Sequence, residues 1–149
     1  MVFSRILMKK ATFVLIFLLF CMTSHAKDNI FEDKLYQLLS DQVEAFNKQD
    51  VEHLVKNVTE DFKWYSLTSD QLLIETDGKQ AFKEGMTEYY KSDRKSTSII
   101  ESYTIDGDRI SFKEAVSHIN TIGEKVSSSA MGIYQYKGDK IYRAWYFVD

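Results

Sequence analysis

The chain contains no proline, one cysteine, three histidines and six glycines in 149 residues. The single cysteine, Cys21, sits inside an apolar N-terminal run. Beyond it no disulfide, thiol nucleophile or cysteine-based metal site can be built. Past residue 26 only His53 and His118 remain, far apart in sequence, which argues against a dedicated zinc site. Gly78, Gly107, Gly123 and Gly138 have turn spacing, not that of a phosphate-binding loop. Positive charge is not in excess: the formal net charge is −3, so nucleic acid is not the expected partner. There is no low-complexity tract and no internal repeat.

The N-terminus reads as an export leader. Lys9 and Lys10 precede the apolar run ATFVLIFLLFCM, and Ser24-His25-Ala26 supplies small residues where a signal peptidase reads them. Residues 1–26 are expected to be a signal peptide and 27–149 the mature domain. Met8 could itself start an ordinary leader. Phe20 stands where a lipoprotein signal wants a small residue before cysteine. The apolar run is shorter than the roughly 20 residues a spanning helix needs, although an uncleaved anchor is the competing reading. The expectation is an exported bacterial protein, periplasmic or secreted, without membrane association after cleavage. Removing Arg5, Lys9 and Lys10 takes the formal charge from −3 to −6. The remainder is one domain of roughly 120 residues, long enough to bury a core unaided.

Hydrophobic spacing predicts a helix over 31–47, with Phe31, Leu35, Leu38, Leu39, Val43 and Phe46 on one stripe. Asp50 is placed to cap a short second helix carrying Val51, Leu54, Val55 and Val58, closed by Thr59-Glu60-Asp61. A hairpin over 62–76 follows, then a third helix over 78–91. Asp106-Gly107, Gly123-Glu124 and Gly138-Asp139 divide the rest into a four-strand meander. Helices segregated to one face of an antiparallel sheet make an α+β domain. The closing segment, AMGIYQYKGDKIYRAWYFVD, is the most aromatic part and is expected near the sheet centre.

Three segments carry a family resemblance: QVEAFNKQDVEHLVKNVTEDFKWY, DGKQAFKEGMTEYY and YQYKGDKIYRAWYF. With the element order, the chain resembles the nuclear-transport-factor-2-like superfamily, in its SnoaL-like and ketosteroid-isomerase-like branch. The resemblance implies a cone, with a curved antiparallel sheet and three helices on one face. It also implies a pocket between them and, commonly, a homodimer packed through the sheet face. The superfamily hosts isomerases, cyclases, hydrolases and plain binding proteins, so fold alone does not name the activity. Isomerase chemistry of that branch needs a tyrosine, a carboxylate base and an oxyanion acid. Matching the motifs puts Gln42, Ser66 and Gly132 at those three places, so that mechanism does not carry over.

On the implied cone, strand alternation aims Phe62, Trp64 and Ser66 inward, with Ala115, Ser117, Ile119, Gly132, Tyr134 and Tyr136. Tyr142, Ala144 and Tyr146 follow if the last turn holds an odd number of residues; a two-residue Gly138-Asp139 turn brings Trp145 inward instead. The pocket candidates are thus Trp64, Ser66, Tyr89, Ser117, Tyr134, Tyr142 and Tyr146. Aromatic walls with hydroxyl ends suit a small apolar or aromatic ligand, and the same side chains could equally be core. No catalytic residue is assigned, and neither cofactor nor metal is called for. Glu114 and His118 could do acid–base work together, but this alternation places them, with Ile110 and Phe112, on the opposite face. Three roles stay open: a small-molecule binder, an enzyme of proton-transfer type using Ser66, Tyr134 and Glu114, or a structural dimerisation module.

Overall fold

The computed structural model describes residues 32, 34–92 and 96–147. The expected leader, residues 1–26, and Phe31 of the first helical stripe lie outside the described residues. Leu35–Asp149 forms one compact unit.

Helix α1 covers residues 35–47 and buries Leu35, Leu39, Gln42 and Ala45 along one stripe. It ends where Gln49 adopts φ 58°, so that Gln49 N–H reaches Phe46 O at 3.0 Å and Asp50 N–H reaches Ala45 O at 3.0 Å. That bond pair satisfies the last carbonyls of the helix. Helix α2, Val51–Lys56, starts at once, with the Asp50 carboxylate accepting the His53 N–H at 3.0 Å. Val58 is not helical. Strand β1 runs Val58–Leu67, because Val58 is completely buried and pairs with Ile141. β2 is Leu72–Asp77, and helix α3 is Lys79–Lys91 with Phe82 and Met86 buried. The meander follows: β3 Thr97–Asp106, β4 Arg109–Ile119, β5 Lys125–Lys137 and β6 Lys140–Phe147.

The six strands form one curved, unclosed sheet in the order β2-β1-β6-β5-β4-β3. Neighbours are antiparallel except β1 and β6, which run parallel, so the sheet is mixed. The aromatic strand β6 is therefore an interior strand, flanked by β1 and β5. A single core joins Leu35, Leu39 and Ala45 of α1, Leu54 and Val55 of α2, and Phe82 and Met86 of α3 to Val58, Phe62, Ile110, Phe112, Tyr134, Ile141 and Ala144 of the sheet. This is an α+β cone with helices against a curved sheet.

Two local features decide which side chains face the helices. Directly paired residues point to the same side of a sheet, and β5 offers Gly132, Tyr134 and Tyr136 inward. Phe112 pairs with Gly132 and Glu114 with Ala130, so β4 presents Ile110, Phe112, Glu114 and Val116 inward. This reverses the alternation expected for β4: Ala115, Ser117 and Ile119 lie on the other face. The second feature is a bulge in β6. The Gly138-Asp139 turn holds two residues, with Gly138 at φ 64° where a side chain would be strained. Tyr136 pairs with Ile141 but Gln135 pairs with Arg143, leaving Tyr142 as the extra residue. The bulge restores Ala144 and Tyr146 to the inner face despite the even turn.

Candidate functional site

A cavity of about 500 Å³ opens between the helices and the inner face of the sheet. α1 contributes Gln42, Val43 and Phe46; α3 contributes Phe82, Gly85, Met86 and Tyr89. β1 adds Phe62 and Trp64, β2 adds Glu75 and Thr76, and the meander adds Ser98, Glu114, Val116, Ala130, Tyr134, Ala144 and Tyr146. Its lining includes Gly85, which is exposed at the cavity's mouth. Gly85 lies inside α3, where glycine costs about 1 kcal/mol relative to alanine, and a Cβ added there meets nothing within 4 Å. Trp64 and Tyr146 touch, with ring centroids 5.6 Å apart, yet they leave the cavity open.

One wall of the cavity is polar. The Ser98 hydroxyl donates a hydrogen bond to Glu114 Oε2, and Tyr146 also bonds the Glu114 carboxyl. Tyr146 and Tyr134 hydroxyls lie 2.8 Å apart. When Glu114 is ionised it can only accept, so Ser98 and Tyr146 both donate to it and Tyr134 donates to Tyr146. Glu114 is 6% exposed. Burial pushes its carboxyl above the ordinary range, against the two hydrogen bonds that favour its charge. Burial likewise raises the Tyr134 and Tyr146 hydroxyls, with the nearby Glu114 charge adding to it, so both stay protonated.

Neighbouring contacts fix this wall. Asn47, at the end of α1, grips the β3 backbone at Ser98 twice: Nδ2 donates to Ser98 O at 2.8 Å, and Ser98 N–H donates to Asn47 Oδ1 at 2.7 Å. Phe112 packs edge-on against Tyr134, with centroids 4.9 Å apart, and fits only because its partner is glycine. A Cβ on Gly132 would lie 2.6 Å from the tip of the Phe112 ring.

Four sequence-derived candidates, Trp64, Tyr89, Tyr134 and Tyr146, line the cavity. Three do not. Ser66 shares the inner face of β1 and is buried, but lies off the cavity wall. Ser117 is on the opposite face of β4, its hydroxyl bonded to Ser127 at 3.3 Å. Tyr142, displaced by the bulge, lies outside the cavity beneath the Arg143 guanidinium, 3.6 Å from its ring centroid. Glu114 is the residue that strand alternation misplaced, and Gln42 and Ser98 were not candidates. A carboxylate at the sixth position of β4, in step with two apolar residues before it, Ile110 and Phe112, was the available signal. His118 does not line the cavity, nor does His53, which pairs with Asp41 at 2.8 Å. Among the described residues no group of His, Cys, Asp or Glu side chains gathers closely enough to hold a metal ion.

The inner wall can thus enclose an apolar body and present hydroxyl oxygens and a titratable acid to one edge of it. No curated protein matches the chain as a relative. Among solved structures, TerC co-crystallised with polyporic acid superposes with a TM-score of 0.64 at 12% identity, covering 78% of this chain and 92% of that one. A candidate polyketide cyclase from Xanthomonas campestris pv. campestris gives 0.60 at 16% identity, covering 78% and 91%. AclR, a candidate hydroxylase from Streptomyces galilaeus, gives 0.58 at 16% identity, covering 74% and 75%. At these identities the likeness establishes the nuclear-transport-factor-2-like fold. The family model of the SnoaL-like domain matches residues 39–144, more than two thirds of the chain, and the chain belongs to that family.

Proposed function

We propose that this SnoaL-like domain binds a small, largely apolar or aromatic molecule in the cavity between α1, α3 and the sheet. The observation that carries this reading is a cavity of about 500 Å³ walled by aromatic and aliphatic side chains with a few convergent polar groups. That size and composition suit an organic ligand of two to four rings. Gly85 is consistent with it, since a helix-interior glycine on the exposed rim leaves the cavity's mouth open at a cost in stability. The solved structures of like fold include one co-crystallised with polyporic acid and a candidate polyketide cyclase. Titration calorimetry with 1-tetralone, a flat apolar ketone, is expected to give saturable one-site binding. No heat and no change in tryptophan fluorescence up to the probe's solubility would refute it.

A second reading, proton transfer on the bound molecule, is favoured by one observation: Glu114 faces the cavity with its carboxyl pushed up by burial. Tyr134 joins it through Tyr146; Ser66 does not. Incubation of 1-tetralone with the protein in D₂O, read by NMR at the carbon beside the carbonyl, checks this reading. Accelerated deuterium uptake that disappears in Glu114→Gln is the expected result, and uptake at the buffer rate sinks it.

Two further proposals concern the whole chain. The outer sheet face carries the stacked pair Tyr65–Trp145, centroids 5.8 Å apart, beside exposed Met131 and Phe147. We propose a homodimer through this face, and sedimentation at micromolar concentration showing monomer alone would contradict it. Export through a leader cleaved after Ala26 predicts a mature N-terminus at Lys27 by mass spectrometry of the native protein.

A further inference from the structure

Among the described residues, two cavity-wall side chains carry a buried polar atom with no hydrogen-bond partner: Gln42 Oε1, an acceptor, and Trp64 Nε1, a donor. Gln42 is 5% exposed, in the middle of the apolar stripe of α1, where leucine or methionine would fill the same space. An orphaned polar atom in such a place costs stability, because it leaves water and gains nothing in return. The Glu114 cluster differs. Its hydroxyls and carboxyl are already bonded to one another, so its capacity is largely taken within the protein.

We infer that Gln42 and Trp64 are the specificity-determining polar contacts of the cavity: Gln42 Oε1 receives an O–H or N–H of the ligand, and Trp64 Nε1 donates to a ligand oxygen. The ligand class is therefore a flat, apolar ring system bearing at least one hydroxyl or amine and one carbonyl, ether or further hydroxyl oxygen. A pure hydrocarbon or a fatty chain is disfavoured, since it would leave both buried atoms still without partners. This inference rests on the binding reading above and adds the chemistry of the recognised groups.

Three probes of nearly constant shape test it: tetralin, 1-tetralone and 6-hydroxy-1-tetralone, titrated into wild type, Gln42→Met, Trp64→Phe and Tyr136→Phe. Tyr136 supplies the control, since its buried hydroxyl also lacks a partner but lies off the cavity wall. Each matched polar group is expected to tighten binding to wild type roughly tenfold, in the order tetralin, tetralone, hydroxytetralone. Gln42→Met should abolish the advantage of the hydroxyl, Trp64→Phe that of the carbonyl, and Tyr136→Phe neither. Ligand-free Gln42→Met should also unfold at higher urea than wild type, a readout independent of any probe. Equal affinity of wild type for all three probes, discrimination that survives both cavity variants, or a lower urea midpoint for Gln42→Met would each overturn the inference while leaving the binding reading in place. Failure of all three probes to bind wild type would remove the binding reading and this inference with it.

Discussion

Gly132→Ala is the substitution whose consequence can be worked most directly from the structure. The new methyl carbon would stand 2.6, 2.9 and 3.2 Å from three carbons of the Phe112 ring. Carbon atoms rest at about 3.5–4.0 Å, so the ring tip must withdraw by roughly 1 Å. Phe112 is 3% exposed, and its ring is bounded by Tyr134 at 4.9 Å and Tyr146 at 5.9 Å between centroids. Retreat therefore drives it toward the tyrosine pair that serves Glu114. Overpacking of this kind costs about 1–3 kcal/mol. For a domain of this size that lowers Tm by about 4–12 °C. Urea unfolding of wild type, Gly132→Ala, Phe112→Leu and the double variant measures it. Most of the alanine cost should vanish in the leucine background, where the ring is gone, as a coupling of at least about 0.5 kcal/mol. A Gly132→Ala protein as stable as wild type, or an equal cost in both backgrounds, would refute the reasoning.

Three other outcomes follow from the same geometry. Folding raises the Glu114 carboxyl above its unfolded-chain value, so its contribution to stability is complete below the unfolded-chain pKa and is lost as pH rises through the folded one. Glu114→Gln should then be more stable relative to wild type at neutral pH than at pH 4, and parallel urea midpoints across that range would contradict this. Asn47→Ala removes both bonds from α1 to the Ser98 backbone and should cost about 1–3 kcal/mol in urea unfolding, whereas a loss under about 0.5 kcal/mol would show the clasp to be dispensable. Tyr142→Ala, outside the cavity, should change 1-tetralone affinity by less than about twofold, a difference of a few tenths of a kcal/mol; a tenfold loss would place Tyr142 at the site after all.

The fold was legible because its signals are local and repeated. The leucine stripe of α1, the Asp50 cap and the Gly138-Asp139 turn each encode their element within a few residues. Strand faces were harder. β4 reads RISFKEAVSHI, in which Ile110 and Phe112 alternate with Ser111 and Lys113 and so mark an inner face that carries Glu114 with it. The expectation takes Ala115, Ser117 and Ile119 as the inward set instead, and the burial of Glu114 depends on partners distant in sequence, such as Ser98, 16 residues away in a neighbouring strand. Tyr142 was misplaced for a different reason. A bulge changes parity without any residue that announces it, and it lets a two-residue turn coexist with inward Ala144 and Tyr146. The parallel pairing of β1 with β6 is likewise set by packing of distant segments.

The central claim, that the cavity is where a small molecule binds, is tested most directly by filling it. Gly85→Phe places a ring at the cavity's mouth from the middle of α3, with no atom within 4 Å of the new Cβ, and it replaces the poorest non-proline helix former. Its circular dichroism and urea midpoint should match or exceed those of wild type. Titrated with 1-tetralone beside wild type, it should bind at least about tenfold more weakly, a loss of roughly 1.4 kcal/mol. A folded Gly85→Phe protein that binds the ketone as tightly as wild type would contradict the account.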